Sequence, residues 1–149
     1  MKKILVTGAA GQIGSELVPE LRRLYGNDNV IAAGNKTQPS EELKSGPFIV
    51  VDVTNYDQID RAIREHDVGK IFHLSSILSA AGEKNPQLAY QVNFNGLYNI
   101  LEAARENGVE RVIVPSSIAA FGRDTPKHTP NDTIQRPATV YGISKVFGE

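Results

Sequence analysis

Tyr141 and Lys145 stand four residues apart in the stretch TVYGISK (139–145). In a helix that spacing places both side chains on one face. A free tyrosine, with a pKa of about 10, is a poor base at neutral pH. An ammonium within about 4–6 Å favours the phenolate, as does a positively charged ring nearby. A tyrosine so placed can take a hydroxyl proton while a hydride leaves the same carbon. The reacting oxygen also needs a hydrogen-bonding partner, and a serine at a strand end would serve. Ser116 and Ser117 close the apolar run RVIVPSS (111–117). Taken alone, the Tyr-x-x-x-Lys spacing is equally that of an exposed amphipathic turn, so its company decides.

That company begins with GAAGQIG (8–14), directly after the apolar run KKILVTG (2–8). Gly8 can adopt turn geometry closed to other residues, Gly11 admits a diphosphate to the backbone, and Gly14 lets a helix pack closely on the strand. The helix would open at Gln12 and Ile13, offering N–H groups and a positive dipole end to phosphates. The spacing is GxxGxxG, where the usual dinucleotide fingerprint is GxGxxG. A glycine-rich turn without a ligand would read alike, but strand, turn and helix follow in the order a dinucleotide requires.

An acid at the end of the second strand would accept from the adenosine ribose and repel a 2′-phosphate. Here VIAAGNKT (30–37) places Gly34 there, followed by Asn35 and Lys36. Lys36 reads either as a partner for a phosphate or as a solvated turn lysine. Asp52, followed by Val53, closes the third apolar run and is placed to accept from an adenine amino group. The cofactor expected is NAD, with NADP admitted by the missing acid.

The elements that position these residues show in the alternation of apolar runs with helix-period segments. NVIAAG (29–34), PFIVVD (47–52), KIFHLSS (70–76) and RVIVPSS repeat the design of the first run. Unbroken β-rich runs predict strands covered on both faces of a parallel sheet. Ile13, Leu17, Leu21 and Leu24 form one helical stripe, and Ile59 and Ile63 a shorter one with Asp57 as N-cap. Pro19 is expected to kink the first helix or remove a hydrogen bond. Asn85 and Pro86 open the longest helix, whose apolar face is Leu88, Val92, Leu97, Ile100, Leu101 and Ala104, and Gly108 ends it. Segment 121–140 reads as a long loop. The expected fold is α/β: one Rossmann-like domain over 1–149, a doubly wound parallel sheet of about five strands binding its ligand where the strand order reverses.

Composition narrows the function. The 149 residues include 16 basic and 17 acidic side chains, a balance that leaves no electrostatic footprint for nucleic acid or an anionic membrane. The chain has no cysteine, which excludes disulfides, thiolate zinc sites and cysteine nucleophiles. His66, His73 and His128 share no metal-ligand spacing, so no metal is expected. The first apolar run is too short for a signal peptide or a membrane span, which makes a cytoplasmic protein the default expectation.

With GAAGQIG, PSSIAAFG (115–122) and YGISK (141–145), the chain resembles the extended short-chain dehydrogenase/reductase family. ILSAAGEKNP (77–86), TPK (125–127) and TIQRPATVYGISK (133–145) are similar to the short-chain-type L-threonine 3-dehydrogenases within it. The resemblance implies that Tyr141 is the general base on the threonine β-hydroxyl and that Lys145 holds the nicotinamide ribose and lowers the tyrosine pKa. It implies that Ser117 bonds the reacting oxygen and that Ser79 contacts the amino acid. Leu74 and Ser75 would line the cofactor, and Asn93 would order the site. The product would be 2-amino-3-oxobutanoate with reduced cofactor, and the assembly a homodimer. The family usually has an aspartate where Gly34 stands.

Other readings stay open for single residues. Ser116 can pair with backbone alone, as strand-end serines commonly do. Asn93 can simply bond loop backbone. His73, inside an apolar strand, reads as a core histidine without a role. The resemblance also implies a substrate-binding portion after the tyrosine helix, so the stretch is expected to be the N-terminal, cofactor-binding part of a longer enzyme. Two alternatives remain: a nucleotide-sugar epimerase or dehydratase using the same serine, tyrosine and lysine, and a non-catalytic dinucleotide-binding module.

Overall fold

A computed structural model describes residues 2–35 and 39–149. Five parallel strands form one sheet: β1 (Lys3–Thr7), β2 (Val30–Gly34), β3 (Phe48–Val50), β4 (Val68–His73) and β5 (Arg111–Ile113), in the order β3-β2-β1-β4-β5. The chain steps outward from β1 to β3, then returns to the far side of β1 for β4 and β5. The reversal therefore falls between β1 and β4, and a crevice opens beyond their C-terminal ends.

The unbroken apolar runs follow from two buried faces. Leu5, Ile31, Ala33 and Ile71 pack on one side with Ile59 and Ile63 of α2 (Tyr56–Glu65) and Ile100 of α5 (Gly96–Glu106). Ile4, Val6, Val30 and Ala32 pack on the other with Val18 and Leu21 of α1 (Gln12–Tyr25). Each fully buried aliphatic side chain contributes about 1.5–3 kcal/mol, so the sheet is the main source of stability.

Several local expectations are corrected. In α1 the buried residues are Gly14, Val18, Leu21 and Arg22, while Ile13 and Leu24 are exposed. The close approach at Gly14 turns the helix so that positions 14, 18 and 21 face the sheet. The helix runs on through Pro19. Buried Arg22 donates to the carbonyls of Val30, Leu43 and Pro47 and to Ser45 Oγ, which pins the approach to β3. Asn55, in place of Asp57, caps α2 by accepting from the Gln58 N–H. Asp57 is already inside the first turn.

Asn85 caps the longest helical stretch as expected, accepting from the Leu88 N–H at 3.1 Å. That stretch has three parts: α4 (Pro86–Ala89), a wide π turn over Tyr90–Asn95, and α5. A π turn re-aims side chains and often marks a functional position. Leu88 and Leu101, expected on its apolar face, are largely exposed. The remaining helices are α3 (Ser79–Lys84) and α6 (Val140–Gly148). Strand β5 stops at Ile113, so Ser116 and Ser117 lie beyond it. Segment 121–139 contains neither helix nor strand. Among the described residues, no helix is long and apolar enough to cross a membrane.

Candidate active site

Two adjoining cavities, of about 270 and about 300 Å3, lie beyond the C-terminal ends of the strands and share Gly8, Gly11, Leu74, Ser75 and Ser76. One ends at Tyr141 and Lys145, the other at Gly34, Asn35, Asp52 and Val53. They form one trough with the glycine turn at its middle.

At the middle, backbone lies against backbone. Gly8 has φ 68°, and a Cβ there would come within 2.7 Å of the Leu74 carbonyl carbon and the Ser75 nitrogen. At Gly14 a Cβ would come within 2.4 Å of the Ala9 carbonyl oxygen. Both positions thus exclude any side chain. Gly11 is the N-cap of α1, and no side chain among the described residues caps the helix. The first-turn N–H groups are therefore available to an anion beside Gln12, Ile13 and Gly14, which line the trough. A diphosphate fits this donor set, which offers backbone N–H groups and a dipole end.

At the second end, Asp52 Oδ1 accepts from the Thr54 N–H at 2.9 Å and the Thr54 hydroxyl at 2.8 Å. The Asp52 N–H donates to Gln58 Oε1. These bonds fix the carboxylate and leave Oδ2 without a partner among the described residues, at the trough wall. Gly34 and Asn35 stand opposite. Lys36 lies outside the described residues.

At the first end, α6 carries Tyr141 and Lys145. Its start is held by Thr139 Oγ1, which accepts from the Gly142 N–H at 3.0 Å, and by the Glu83 carboxylate, which accepts from the Val140 N–H at 2.7 Å. Lys145 Nζ lies 5.3 Å from the centre of the Tyr141 ring and donates to the Pro115 carbonyl at 2.9 Å. Its ammonium is thus at the tyrosine, as the spacing requires. Partial burial holds the lysine pKa below its ordinary value.

Asn93, buried in the π turn, stitches this end together. Its Oδ1 accepts from the Ile77 N–H at 2.7 Å and from the Ser76 hydroxyl, and its Nδ2 donates to the Ile77 carbonyl and to Ser144 Oγ. Ser144 in turn donates to the Tyr141 carbonyl at 2.7 Å. Asn93 therefore bonds loop backbone and the tyrosine helix at once.

The trough lining includes Gly8, Gly11, Gln12, Ile13, Gly14, Asn35, Asp52, Val53, Leu74, Ser75, Asn93, Tyr141 and Lys145. Two expected substrate residues are absent from it. Ser117 Oγ accepts from the Ala119 N–H at 3.2 Å and caps a short helical turn over Ile118–Ala120. Ser116 lines the trough instead, donating to the Glu149 carboxylate. Ser79 opens α3, and its neighbour Leu78 is the lining residue. Two residues that sequence reasoning left without a role, Ser144 and His73, are part of the wall. Among the described residues no cluster of side chains is suited to a metal ion.

The profile of the NAD dependent epimerase/dehydratase family matches residues 4–149. A relative from Staphylococcus saprophyticus, described as an uncharacterised epimerase/dehydratase, is 48% identical over 151 residues, spanning 100% of this chain and 47% of its own. Among solved structures, L-threonine dehydrogenase from Clostridium difficile is 49% identical with a TM-score of 0.94, over 99% of this chain and 47% of that one. The holo form of an L-threonine dehydrogenase from Cupriavidus necator is 43% identical with a TM-score of 0.93, over 98% and 47%. The chain thus spans about half the length of the proteins it matches. With the matched profile covering nearly every residue, and with a glycine turn and a Tyr-Lys helix at the middle and one end of a single trough, the chain belongs to the NAD dependent epimerase/dehydratase family.

Proposed function

We propose that the protein oxidises L-threonine at C3 with NAD, giving 2-amino-3-oxobutanoate. The observation that carries this reading is the Tyr141–Lys145 pair at the end of a dinucleotide-shaped trough, in a chain 49% identical to an L-threonine dehydrogenase of known structure. The dinucleotide, when bound, supplies the hydride acceptor.

This chain supplies the cofactor seat and the proton acceptor. The first turn of α1 receives the diphosphate, and Asp52 Oδ2 accepts from the adenine amino group. Tyr141 takes the β-hydroxyl proton as the C3 hydride departs, so the alcohol loses both and becomes a ketone. Lys145, held by the Pro115 carbonyl, keeps positive charge against the phenol ring, where it favours the phenolate. Asn93 and Ser144 hold the tyrosine's turn of helix at a fixed height above the strand ends. Ser117, capping its own turn in this structure, would reach the reacting oxygen after giving up the Ala119 N–H.

The test is a substrate comparison. Purified protein with NAD and L-threonine should accumulate reduced cofactor, and with UDP- or dTDP-sugars it should show no epimerised or dehydrated product. The second reading, a nucleotide-sugar epimerase or dehydratase, draws on the family description and on that of the Staphylococcus saprophyticus relative. Sugar turnover without threonine oxidation would establish it in place of the first.

A further inference from the structure

His73 and Thr7 end neighbouring strands at matched height, paired in the β1–β4 register. His73 is 4% exposed and Thr7 1%, and Thr7 Oγ1 lies 2.8 Å from His73 Nδ1. The residues that follow them, Gly8 and Leu74, belong to the segments that touch backbone to backbone at the middle of the trough. The pair therefore sits directly beneath the diphosphate seat, and the imidazole lines the cavity that ends at Tyr141 and Lys145.

The hydrogen-bond inventory assigns the ring. If Nδ1–H donated to Thr7, the threonine hydroxyl proton would have no acceptor among the described residues. With Thr7 as donor to Nδ1, both groups are satisfied and the ring proton resides on Nε2. Nε2 has no partner among the described residues, yet no sealed side-chain nitrogen or oxygen among them lacks a hydrogen bond. Nε2 is therefore not sealed, and its open side is the cavity. A proton on both nitrogens is disfavoured, since burial and the positive charge of Lys145 hold the ring neutral, with its pKa lowered to about 4.

We propose that His73 is a cofactor-positioning residue: fixed by Thr7, it presents Nε2–H from the floor of the trough to an oxygen of the bound dinucleotide. This rests on the dinucleotide reading given under Proposed function. Neutrality suits the place, because a second cation beside Lys145 would oppose both the lysine and an oxidised nicotinamide ring. A donor fixed from behind costs little ordering on binding.

Calorimetric titration of the purified protein with NAD separates the parts. In His73→Asn the amide occupies the Nδ1 position and keeps the Thr7 bond, but nothing remains at the Nε2 position. In His73→Gln a donor returns to the Nε2 position. NAD affinity is expected to fall about tenfold in His73→Asn and to recover to within about threefold in His73→Gln, although His73→Gln gives up the Thr7 bond and should melt below His73→Asn. Equal affinity in wild type and His73→Asn would overturn the proposal, as would a His73→Gln protein that folds and binds as weakly as His73→Asn. Should His73→Asn not fold, nitrogen-15 NMR of labelled wild type decides: a proton on Nε2 whose signal moves with NAD supports the proposal, and a proton on Nδ1 or an unmoved signal overturns it. Wild type that binds no dinucleotide would overturn the cofactor reading itself, and this inference with it. Binding of NAD without threonine turnover would overturn only the substrate.

Discussion

At Gly8 and Gly14 the trough is shaped by backbone pressed on backbone, with 2.4–2.7 Å between a would-be Cβ and its neighbours. At Tyr141 it is shaped by side chains: Thr139 and Glu83 hold the helix start, and Asn93 and Ser144 hold its first turn. The first arrangement has few ways to move, since a main chain cannot change rotamer. The second depends on side-chain bonds from three separate segments of the chain, each of which can break alone. On the reading proposed above, the molecule pairs a diphosphate seat built from backbone with a base held by a side-chain mount.

The sharpest way to separate the two regions is to remove the base without touching the seat. Tyr141→Phe keeps the ring under Lys145, so NAD affinity by calorimetry should stay within about twofold while kcat falls about 10²–10⁴-fold. Loss of affinity on the same scale would mean that the two regions are not independent.

Acid should strain the boundary between them. The ordinary histidine pKa is 6.5, and His73 is lowered to about 4 by burial first and by Lys145 second. A depressed value means that the unfolded chain takes up the proton first. The stability is complete above pH 6.5 and is lost as pH falls toward 4, about 3 kcal/mol in all. Denaturant unfolding across that window should show the decline, and His73→Gln should flatten part of it.

Truncation at each region gives the next contrast. Asn93→Ala leaves the Ile77 N–H, the Ile77 carbonyl and Ser144 short of a partner, and should cost about 2–3 kcal/mol together with turnover. Gly14→Ala forces the helix off the strand and should cost about 1–3 kcal/mol, with NAD affinity falling in step. An Asn93 variant that kept full turnover would break the idea of a side-chain mount.

The smallest effect belongs to the far end. Among the described residues, a Cβ at Gly34 would meet only the Phe48 ring, at 3.4 Å, an ordinary contact. Gly34→Asp should therefore fold normally, and its charge should shift the NADP-to-NAD affinity ratio toward NAD by about tenfold. An unchanged ratio would place cofactor choice elsewhere.

How much was legible in the sequence follows the same division. Strand runs, the glycine turn and the Tyr-Lys spacing are local patterns, since each is dictated by the covalent chain and its periodicity, and all appear in the fold. The rotation of α1 was missed because Ile13 and Leu24 suit an apolar stripe, and only the close contact of Gly14 with Ala9 sets the true face. Asp57 lost the cap to Asn55 through a shift of two residues that composition cannot resolve. Ser117, the expected partner of the reacting oxygen, bonds its own turn, and Ser116 faces the trough. His73 carries no sequence signal beyond its place inside an apolar run. Its link to Thr7 spans 66 positions and exists only through the β1–β4 register. Bonds of that range depend on topology, which the local patterns determine only once assembled.

The central claim is hydride removal from threonine C3 with Tyr141 as base, and isotope transfer addresses it most directly. Purified protein is supplied with NAD and L-threonine deuterated at C3, and the reduced cofactor is weighed by mass spectrometry. The account expects one deuterium in the reduced cofactor from wild type and a rate lower by at least about a hundredfold in Tyr141→Phe. Reduced cofactor without deuterium, or equal transfer by Tyr141→Phe, would contradict it.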